Sequence, residues 1–353
     1  MNSDSQNASE DADFTVVVTD DWRDPEIGED FEMGLEPLYE TPGVTVRFAA
    51  DESSGSLRER LGGADAAIVG AGDLITEESI PDDDRLRIVG RLGSGYDNYD
   101  LDACTNNGLV AVHAPQGPTE SVAQGTLGMI IACAHNFVRY NRLVREQGFD
   151  GRFPNMGVEL NGKTLGLIGM GRIGRAVREK FRPFDMDVLA YDPYVDDADL
   201  PADTSLVELD ELLGSSDFVT LHVPLTDETR GLLTEESFRA MKESAYLINT
   251  TRGGMYDDAV LARAIRNEWI AGAAIDVFED EPDVGDNPLL ELEDCLMTPH
   301  ISGVTIDSLT RIGNILAESV LAVSRGEYPD NILNPAVYDD PVPEEHLSPS
   351  YRP

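Results

Sequence analysis

The chain has 353 residues, with 67 Asp and Glu against 26 Lys and Arg and a formal net charge of −41 at pH 7. So much negative charge repels phosphate groups, which argues against binding to nucleic acids or to anionic membranes. Hydrophobic residues make up an ordinary 41%, so the sequence predicts a folded protein, and its length favours two domains.

Arginine supplies almost all of the positive charge, because only three lysines occur, Lys163, Lys180 and Lys242. This composition resembles that of proteins from halophilic archaea, in which concentrated salt screens the repulsion between acidic side chains. The segment 1–13 is acidic and polar, unlike a signal peptide, and no apolar run reaches the ~18 residues that span a bilayer. We therefore expect a cytoplasmic protein without membrane contact.

Before residue 118, short apolar runs alternate with helical patterns, which is typical of parallel α/β sheets. We predict strands at Phe14–Thr19, Val44–Phe48, Ala66–Val69, Arg87–Val89 and Leu109–Val112. Residues 14–117 are expected to form one domain, completed by 304–338, because a long helix predicted at Asp307–Val323 can cross back to it. Residues 1–13 and 339–353 lack an apolar period long enough to bury, so we expect disordered ends.

Residues 118–303 form the second predicted domain, and they contain a glycine-rich turn among further strand and helix patterns. We predict its strands at Leu165–Ile168, Met186–Tyr191, Phe218–His222, Tyr246–Asn249 and Ala273–Val277. The predicted fold class is α/β, with two Rossmann-like, doubly wound parallel-sheet domains and a ligand cleft between them.

The glycine-rich turn predicts a dinucleotide site. Gly169 permits a sharp turn from strand to helix, Gly171 lets phosphates approach the main chain, and Gly174 lets the helix pack closely on the strand. Asp192 ends the next strand, at the distance expected for a carboxylate that binds the adenosine ribose hydroxyls. Because that carboxylate repels a 2′-phosphate, the sequence favours NAD over NADP.

Three further segments each carry one polar residue at or beyond the carboxyl end of a predicted strand, where open parallel sheets bind ligands. In chain order these residues are Arg252, Glu281 and His300. An arginine can bind a carboxylate with two parallel hydrogen bonds, and histidine exchanges protons near neutral pH. By contrast, the three cysteines, Cys104, Cys133 and Cys295, are widely spaced, no His/Cys cluster has the spacing of metal ligands, and we expect no metal.

With these motifs in order, the sequence resembles the D-isomer-specific 2-hydroxyacid dehydrogenases, whose fold is the formate/glycerate dehydrogenase type. The resemblance runs from Phe14 to Tyr338. Besides the glycine loop, it rests on Gly93–Asn98, Leu221–Leu225 with Thr229, Asn249–Gly253, Asp276–Pro282 and the Pro299–His300 pair. It implies that 14–117 with 304–338 is the substrate-binding domain and that 118–303 binds NAD.

The resemblance also implies a role for each site residue. His300 would be the general acid in reduction and the base in oxidation, Glu281 would hold its other ring nitrogen, and Arg252 would bind the 2-oxo acid. Ser94 and Gly95 would bind the substrate carboxylate, and Asp276 would meet the nicotinamide carboxamide. The implied NAD contacts come from Gly169, Gly171, Arg172, Ile173, Gly174, Asp192, His222, Pro224, Thr229, Thr250, Asp276 and Gly303.

Departures from the family pattern bear on the substrate. Many members have V-A-E-H where this chain has Val122–Gly125, and phosphoglycerate dehydrogenases commonly have an arginine near Val69–Gly72. A small unphosphorylated 2-oxo acid is therefore favoured, although Arg91 and Arg139 could also supply charge. We expect no serine feedback, because little sequence follows Tyr338. The identity of the acid, the direction of reaction and the strictness of the NAD preference stay open.

The main hypothesis is thus an NAD-dependent oxidoreductase that interconverts a small 2-oxo acid and its D-2-hydroxy acid, as a homodimer joined through the NAD domains. The alternative is an NAD(H) sensor or assembly protein with little turnover, similar to the C-terminal-binding proteins. Both hypotheses keep Arg252, Glu281 and His300, so the sequence leaves them open. An alanine dehydrogenase or a homocysteine-adenosine hydrolase is remote, because the order of these residues does not fit.

Overall fold

The computed structural model describes residues 14–19, 33–49, 55–70, 72–150, 153 and 156–349. These residues divide into two compact units: unit 1 combines those up to Pro118 with those from Ile306 onward, and unit 2 spans Thr119–Thr305. The boundaries proposed from the sequence were at 117/118 and 303/304. The predicted disordered segment 1–13 lies outside the described residues.

Unit 1 is built on a parallel sheet with the strand order β2-β1-β3-β4-β5. Its strands are β1 (Phe14–Val18), β2 (Val44–Phe48), β3 (Ala66–Val69), β4 (Ile88–Arg91) and β5 (Val110–His113). Its helices are α1 (Glu36–Glu40), α2 (Leu57–Leu61), α3 (Leu101–Asn106) and α10 (Ile306–Ser324). After β2 the chain crosses to the other side of β1, so the strand order reverses between β1 and β3.

Side chains of the central strand of unit 1 alternate between two apolar cores, as the period of a strand requires. Val16 and Val18 pack in one core together with Leu316 of α10, whereas Val17 packs in the other core with Leu109. Both faces of the sheet are therefore covered, which explains why the inner strand β3 is apolar along its whole length. The helix α10 completes the first of these cores, although it is far from β1 in sequence.

The C-terminal segment corrects a prediction. We expected residues 339–353 to be disordered, but the structure describes them as far as 349, with a 3-10 turn at Glu344–His346. Ile332 forms isolated bridges with Val112 and with Leu347, and Ser348 is fully buried. Backbone pairing and one buried hydroxyl hold this segment in place. Neither interaction requires apolar residues at regular spacing, so the sequence pattern did not reveal it.

Unit 2 carries a seven-stranded parallel sheet with the order β12-β11-β10-β9-β6-β7-β8. Its strands are β6 (Thr164–Ile168), β7 (Asp187–Tyr191), β8 (Thr204–Leu206), β9 (Phe218–Leu221), β10 (Tyr246–Asn249), β11 (Gly272–Ile275) and β12 (Cys295–Met297). Its helices are α4 (Thr119–Ala134), α5 (Phe137–Gln147), α6 (Arg172–Phe181), α7 (Leu209–Ser215), α8 (Glu235–Ala240) and α9 (Asp258–Arg266). The predicted fold class, α/β with two doubly wound parallel sheets, is confirmed.

The strand order of unit 2 indicates at which edge of the sheet a ligand is expected to bind. The chain runs outward from β6 through β7 and β8, then returns to the other side of β6 at β9. Open parallel sheets bind ligands at the carboxyl ends of the strands beside such a reversal. The glycine-rich turn follows β6, so it lies at this point. Within the described part of the chain, no helix has both the length and the apolar character needed to cross a membrane.

Candidate active site

The turn from β6 to α6 has the geometry that three glycines allow. Gly169 adopts a φ of +101°, and a Cβ there would lie 2.8 Å from the carbonyl carbon and oxygen of His222. A Cβ on Gly174 would lie 2.1 Å from the carbonyl oxygen of Gly169, so α6 can approach the turn only without a side chain. Gly171, the N-cap residue of α6, faces open space instead, since no atom lies within 4 Å of its ideal Cβ position.

This open space lies at the N-terminus of a ten-residue helix that no side chain caps. The amide groups of a first helical turn and the helix dipole both attract anions, so Gly171, Arg172 and Ile173 present a backbone surface suited to a pyrophosphate. Side chains at Gly169 and Gly174 would clash with the backbone, and the space at Gly171 is open, so the turn is compatible with the predicted dinucleotide site.

Asp192 follows β7 and is tied to the same turn. Its Oδ2 accepts a hydrogen bond from the Met170 N–H (2.8 Å), and its Oδ1 accepts one from the Tyr194 N–H (3.0 Å). The Tyr194 hydroxyl in turn donates to Glu228 (2.6 Å), and this bond is the main cause that raises the pKa of Tyr194. The carboxylate predicted to bind a ribose is thus held beside the glycine turn, with Glu228 close by.

His222, beneath the glycine turn, lies mostly out of water. Its N–H donates to Ile168 (2.7 Å), and its Nε2 lies 3.1 Å from the Thr220 hydroxyl. Its Nδ1 is buried and has no hydrogen-bond partner among the described residues. Burial lowers the pKa of His222 to about 3, so the ring is neutral at physiological pH. The next turn is closed by the Thr229 hydroxyl, which donates to the Pro224 carbonyl (2.6 Å).

Arg252 follows β10 in a loop that a buried asparagine shapes. The Asn249 side chain donates to the Arg252 carbonyl (2.9 Å) and accepts from the N–H and the hydroxyl of Thr251 (3.0 and 2.7 Å). A Cβ on Gly253 would lie 1.9 Å from the carbonyl oxygen of Phe278. The missing side chain of Gly253 therefore lets the Arg252 loop pack directly on the loop that carries Glu281.

Glu281 and His300 form a hydrogen-bonded pair. Glu281 Oε1 accepts from the Phe278 N–H (2.7 Å), and Oε2 lies 2.7 Å from His300 Nδ1. Because a carboxylate only accepts, Nδ1 carries the hydrogen and Nε2 is the nitrogen that can serve a substrate. Burial raises the pKa of Glu281, but the hydrogen bonds from His300 and Phe278 and the charges of His300 and Arg252 together lower it below its usual value.

Asp276 shapes the loop on which His300 lies. The side chain is 1% exposed, and its carboxylate accepts hydrogen bonds from the Thr298 hydroxyl and from the N–H groups of Ile301 and Ser302 (2.8 Å each). Its backbone carbonyl accepts the His300 N–H (2.8 Å), and His300 adopts a φ of +55°. The sequence did not predict these hydrogen bonds, by which Asp276 holds the loop that carries His300.

The structure therefore brings Arg252, Glu281 and His300 together within unit 2. Thr250, another predicted cofactor residue, is buried with its hydroxyl 3.2 Å from that of Thr126, and Gly303 follows the Asp276-bound loop. Ser94 and Gly95 belong to unit 1, in the turn after β4, where the Ser94 carbonyl lies 2.8 Å from His113 Nδ1. No group of His, Cys, Asp and Glu among the described residues has a geometry that could hold a metal ion.

Sequence reasoning missed two residues that support this site. Asn249 was noted only as part of a motif, and Asp258 was not singled out. Asp258 Oδ2 accepts hydrogen bonds from the Asn287 side chain (2.6 Å) and the Glu279 N–H (3.3 Å), so it anchors the Glu281 loop to the start of α9. A polar residue at the end of a buried strand was the available signal for Asn249, whereas Asp258 looked like one more surface acid.

Comparison with known proteins gives consistent results. Residues 127–302 match the family model described as D-isomer specific 2-hydroxyacid dehydrogenase, NAD binding domain. The chain is 38% identical over 311 residues to the glyoxylate reductase of Korarchaeum cryptofilum, covering 87% of this chain and 94% of that protein. It is also 38% identical over 291 residues to the D-3-phosphoglycerate dehydrogenase of Methanocaldococcus jannaschii, which covers 82% of this chain.

The chain spans only 55% of the length of that phosphoglycerate dehydrogenase. Among solved structures, it is similar to D-lactate dehydrogenase from Aquifex aeolicus in complex with NAD and lactic acid. That similarity has a TM-score of 0.75 and 32% identity, and it covers 89% of this chain and 96% of the other.

The buried ring of His222 predicts a pH dependence of stability. An unfolded histidine takes up a proton near pH 6.5, whereas the folded chain does so only near pH 3. Between these values the unfolded state binds more protons, so the free energy of unfolding falls as the pH falls, by up to about 1.4 kcal/mol per pH unit. His222→Asn should flatten this slope in urea unfolding at pH 6.5 and 5, at constant KCl.

As a control, His135→Asn removes an exposed imidazole from the same unit and should leave the contribution of His222 in place. If wild type and His222→Asn lost the same free energy of unfolding between pH 6.5 and 5, the assignment of a neutral His222 ring in the folded chain would be wrong.

Proposed function

The chain belongs to the D-isomer-specific 2-hydroxyacid dehydrogenases, and on that premise we propose that it interconverts a small 2-oxo acid and its D-2-hydroxy acid with NAD as cofactor. The observation that carries this proposal is the Glu281–His300 hydrogen bond of 2.7 Å beside the Arg252 loop. It combines an acid/base group of defined tautomer with a cation that can bind a carboxylate.

The residues around the glycine turn fit a bound dinucleotide. The open space at Gly171 suits the pyrophosphate, Asp192 suits the ribose hydroxyls, and the buried Nδ1 of His222 leaves one polar atom below the turn to be satisfied. We assign Pro224, Thr229, Thr250, Asp276 and Gly303 to the same cofactor. When bound, NADH supplies the hydride that reduces the carbonyl carbon of the substrate.

Residues of the chain transfer the proton and bind the carboxylate of the substrate. In reduction, His300 Nε2 donates a proton to the carbonyl oxygen as the carbon is reduced, and in oxidation it accepts that proton from the hydroxyl. Glu281 stabilises the protonated ring that this cycle requires, because its charge lies 2.7 Å from Nδ1. Arg252 binds and orients the substrate through its guanidinium, and the N–H groups of Ser94 and Gly95 bind the carboxylate.

We favour an unphosphorylated substrate. Asp73 lies just after β3 in unit 1, where a phosphate-binding arginine is common in phosphoglycerate dehydrogenases. Its carboxylate accepts hydrogen bonds from the Gly70 N–H (3.2 Å) and from Arg60 (3.0 Å). Because Asp73 and Arg60 neutralise each other, this edge of the sheet offers a phosphate dianion no net positive charge, whereas a small 2-oxo acid needs none there.

We propose that the protein is a homodimer joined through unit 2. The amphipathic helix α5 buries none of its residues within the chain, and Phe137, Val138 and Val144 are all about half exposed. Phe149, Phe153 and Met156, which follow the helix, are even more exposed. Exposed apolar side chains clustered in one stretch of sequence are typical of a protein interface, and a second copy of the same segment would cover them.

The wild-type protein in molar KCl should oxidise NADH with at least one of glyoxylate, hydroxypyruvate and pyruvate, and more slowly with 3-phosphohydroxypyruvate. His300→Gln removes the proton donor and Arg252→Ala removes the substrate cation, so kcat/KM should fall by about 100-fold or more in each. Binding of NADH, measured by fluorescence titration, should stay near the wild-type value.

Two surface variants serve as controls. His346→Gln breaks a similar histidine–carboxylate pair, with Asp330 at 3.0 Å, and Arg239→Ala breaks an ion pair with Glu235. Both should keep full activity. An equal loss of NADH affinity in His300→Gln and Arg252→Ala would show that their roles are misassigned. Negligible rates with every acid, despite normal NADH binding, would favour the NAD-sensor hypothesis.

Asp192 is expected to determine the cofactor preference. Asp192→Ala removes both the hydrogen-bond acceptor for the ribose and the charge that repels a 2′-phosphate. The ratio of kcat/KM with NADPH to that with NADH should rise by about 10- to 100-fold, which corresponds to the loss of hydrogen bonds to a charged group. Asp197→Ala removes an exposed acid five residues away and should change nothing. Unchanged discrimination in Asp192→Ala would contradict the ribose assignment.

The dimer can be tested at the exposed helix. Val144→Asp places a charge in the apolar surface of α5, so it should convert the dimer to a monomer in light scattering coupled to size exclusion. Leu74→Asp is the matched control, because Leu74 is similarly exposed but lies in unit 1. A wild-type monomer, or a dimer that withstands Val144→Asp, would overturn this interface.

A further inference from the structure

His113 is a fully buried histidine in unit 1 that the mechanism above does not use. It ends β5, and its ring lies between two groups that are far from it in sequence. Its Nδ1 is 2.8 Å from the carbonyl oxygen of Ser94, and its Nε2 is 2.6 Å from the hydroxyl of Ser348. The ring of Tyr96 packs edge-on against it, with the ring centroids 5.5 Å apart.

The chemistry of these two partners fixes the tautomer. A peptide carbonyl only accepts hydrogen bonds, so Nδ1 of His113 must carry the hydrogen that the Ser94 carbonyl receives. Nε2 is then the acceptor, and the Ser348 hydroxyl donates to it. The ring thus transmits the position of Ser348 to one carbonyl group of the loop 93–97.

That carbonyl belongs to the peptide between Ser94 and Gly95. A trans peptide is planar, and its C=O and N–H point in opposite directions. A hydrogen bond that holds the Ser94 carbonyl toward β5 therefore directs the Gly95 N–H to the other side of the loop. This N–H is one of the two groups assigned above to the substrate carboxylate.

Ser348 is itself held in place by the backbone. Its N–H donates to the Ile332 carbonyl (2.9 Å), and the Ile332 N–H donates to the His346 carbonyl (2.9 Å). The Leu333 N–H donates to Ala111 of β5 (2.9 Å), and Ser348 is fully buried. The C-terminal segment 331–348 is thus paired along the strand that ends in His113, and it presents one hydroxyl to that ring.

We propose that His113, oriented by Ser348, is a positioning residue that aligns the Gly95 N–H for the carboxylate of the 2-oxo acid. The inference rests on the proposed function, because it assigns a purpose to the loop that binds the substrate. His113 touches neither substrate nor cofactor in this role. It affects substrate binding through the Ser94–Gly95 peptide, and it leaves the proton transfer at His300 unaltered.

Two amide replacements separate this role from general packing. Asn carries its NH₂ near the position of Nδ1, so His113→Asn can still donate to the Ser94 carbonyl. Gln carries its amide near Nε2, so His113→Gln keeps the contact with Ser348 and loses the donor to Ser94. With the best acid of the glyoxylate, hydroxypyruvate and pyruvate panel, His113→Gln should raise KM about fivefold, the effect of one hydrogen bond. His113→Asn should stay near wild type, and kcat and NADH affinity should be unchanged in both.

Ser348→Ala is the milder variant should His113→Gln fail to fold. It should raise KM in the wild-type background but have no further effect in His113→Asn, whose shorter amide does not reach the hydroxyl. Ser319→Ala is the matched control, since Ser319 is a buried serine of α10 whose hydroxyl donates to Ile315 (2.8 Å). It should leave KM unchanged.

Nitrogen-15 NMR of the five histidines tests the tautomer of His113 independently of any activity assay. The signal of His113 is assigned as the one that is missing from the spectrum of His113→Asn. An Nδ1–H tautomer supports the proposal, and an Nε2–H tautomer overturns it. Equal KM values in His113→Asn and His113→Gln, with an active wild type, overturn the role of His113 alone. A wild type that reduces none of the acids overturns the proposed function instead.

Discussion

The buried carboxylate of Asp276 is the interaction on which the positions of the proposed catalytic residues depend. A buried charge is costly unless hydrogen bonds satisfy it, and here one hydroxyl and two backbone N–H groups do so. Those donors all come from the loop 298–302, so the loop that carries His300 must fold around the end of β11. The N–H of Asp276 donates to Asn249 (2.9 Å), which extends the same network to the Arg252 loop.

Acidic residues crowd the loop after β11, and the pKa values of two of its glutamates shift in opposite directions. Burial and the charges of Asp258 and its neighbours raise the pKa of Glu279. Only two residues further on, the pKa of Glu281 is lowered, because hydrogen bonds from His300 and Phe278 outweigh its burial. The pKa shifts of these two glutamates differ in direction because burial and nearby acidic charges act on Glu279, whereas Glu281 accepts hydrogen bonds from His300 and Phe278.

The sequence predicted the parts of the site that depend on residue type. The glycine turn could be predicted because only glycine suits the backbone at Gly169, Gly171 and Gly174. The polar site residues could be predicted because each follows the end of a strand, namely Arg252, Glu281 and His300. Contacts between distant segments left no such pattern. Asp276 was expected to face the cofactor, yet its carboxylate also holds the loop 298–302. The order of residues 339–349 was missed because backbone pairing at Ile332 and one hydroxyl at Ser348 produce no apolar periodicity.

The return of α10 to unit 1 sets an order of events during synthesis. Unit 2 is continuous in sequence, and the ribosome releases all of it before the first residue of α10. Until then, Val16, Ile88 and Val112 lack Leu316 and Val320, which complete their apolar core. Domains fold as units when their residues are available. The strands made first therefore wait longest for their final packing, while the dinucleotide-binding unit can already be folded.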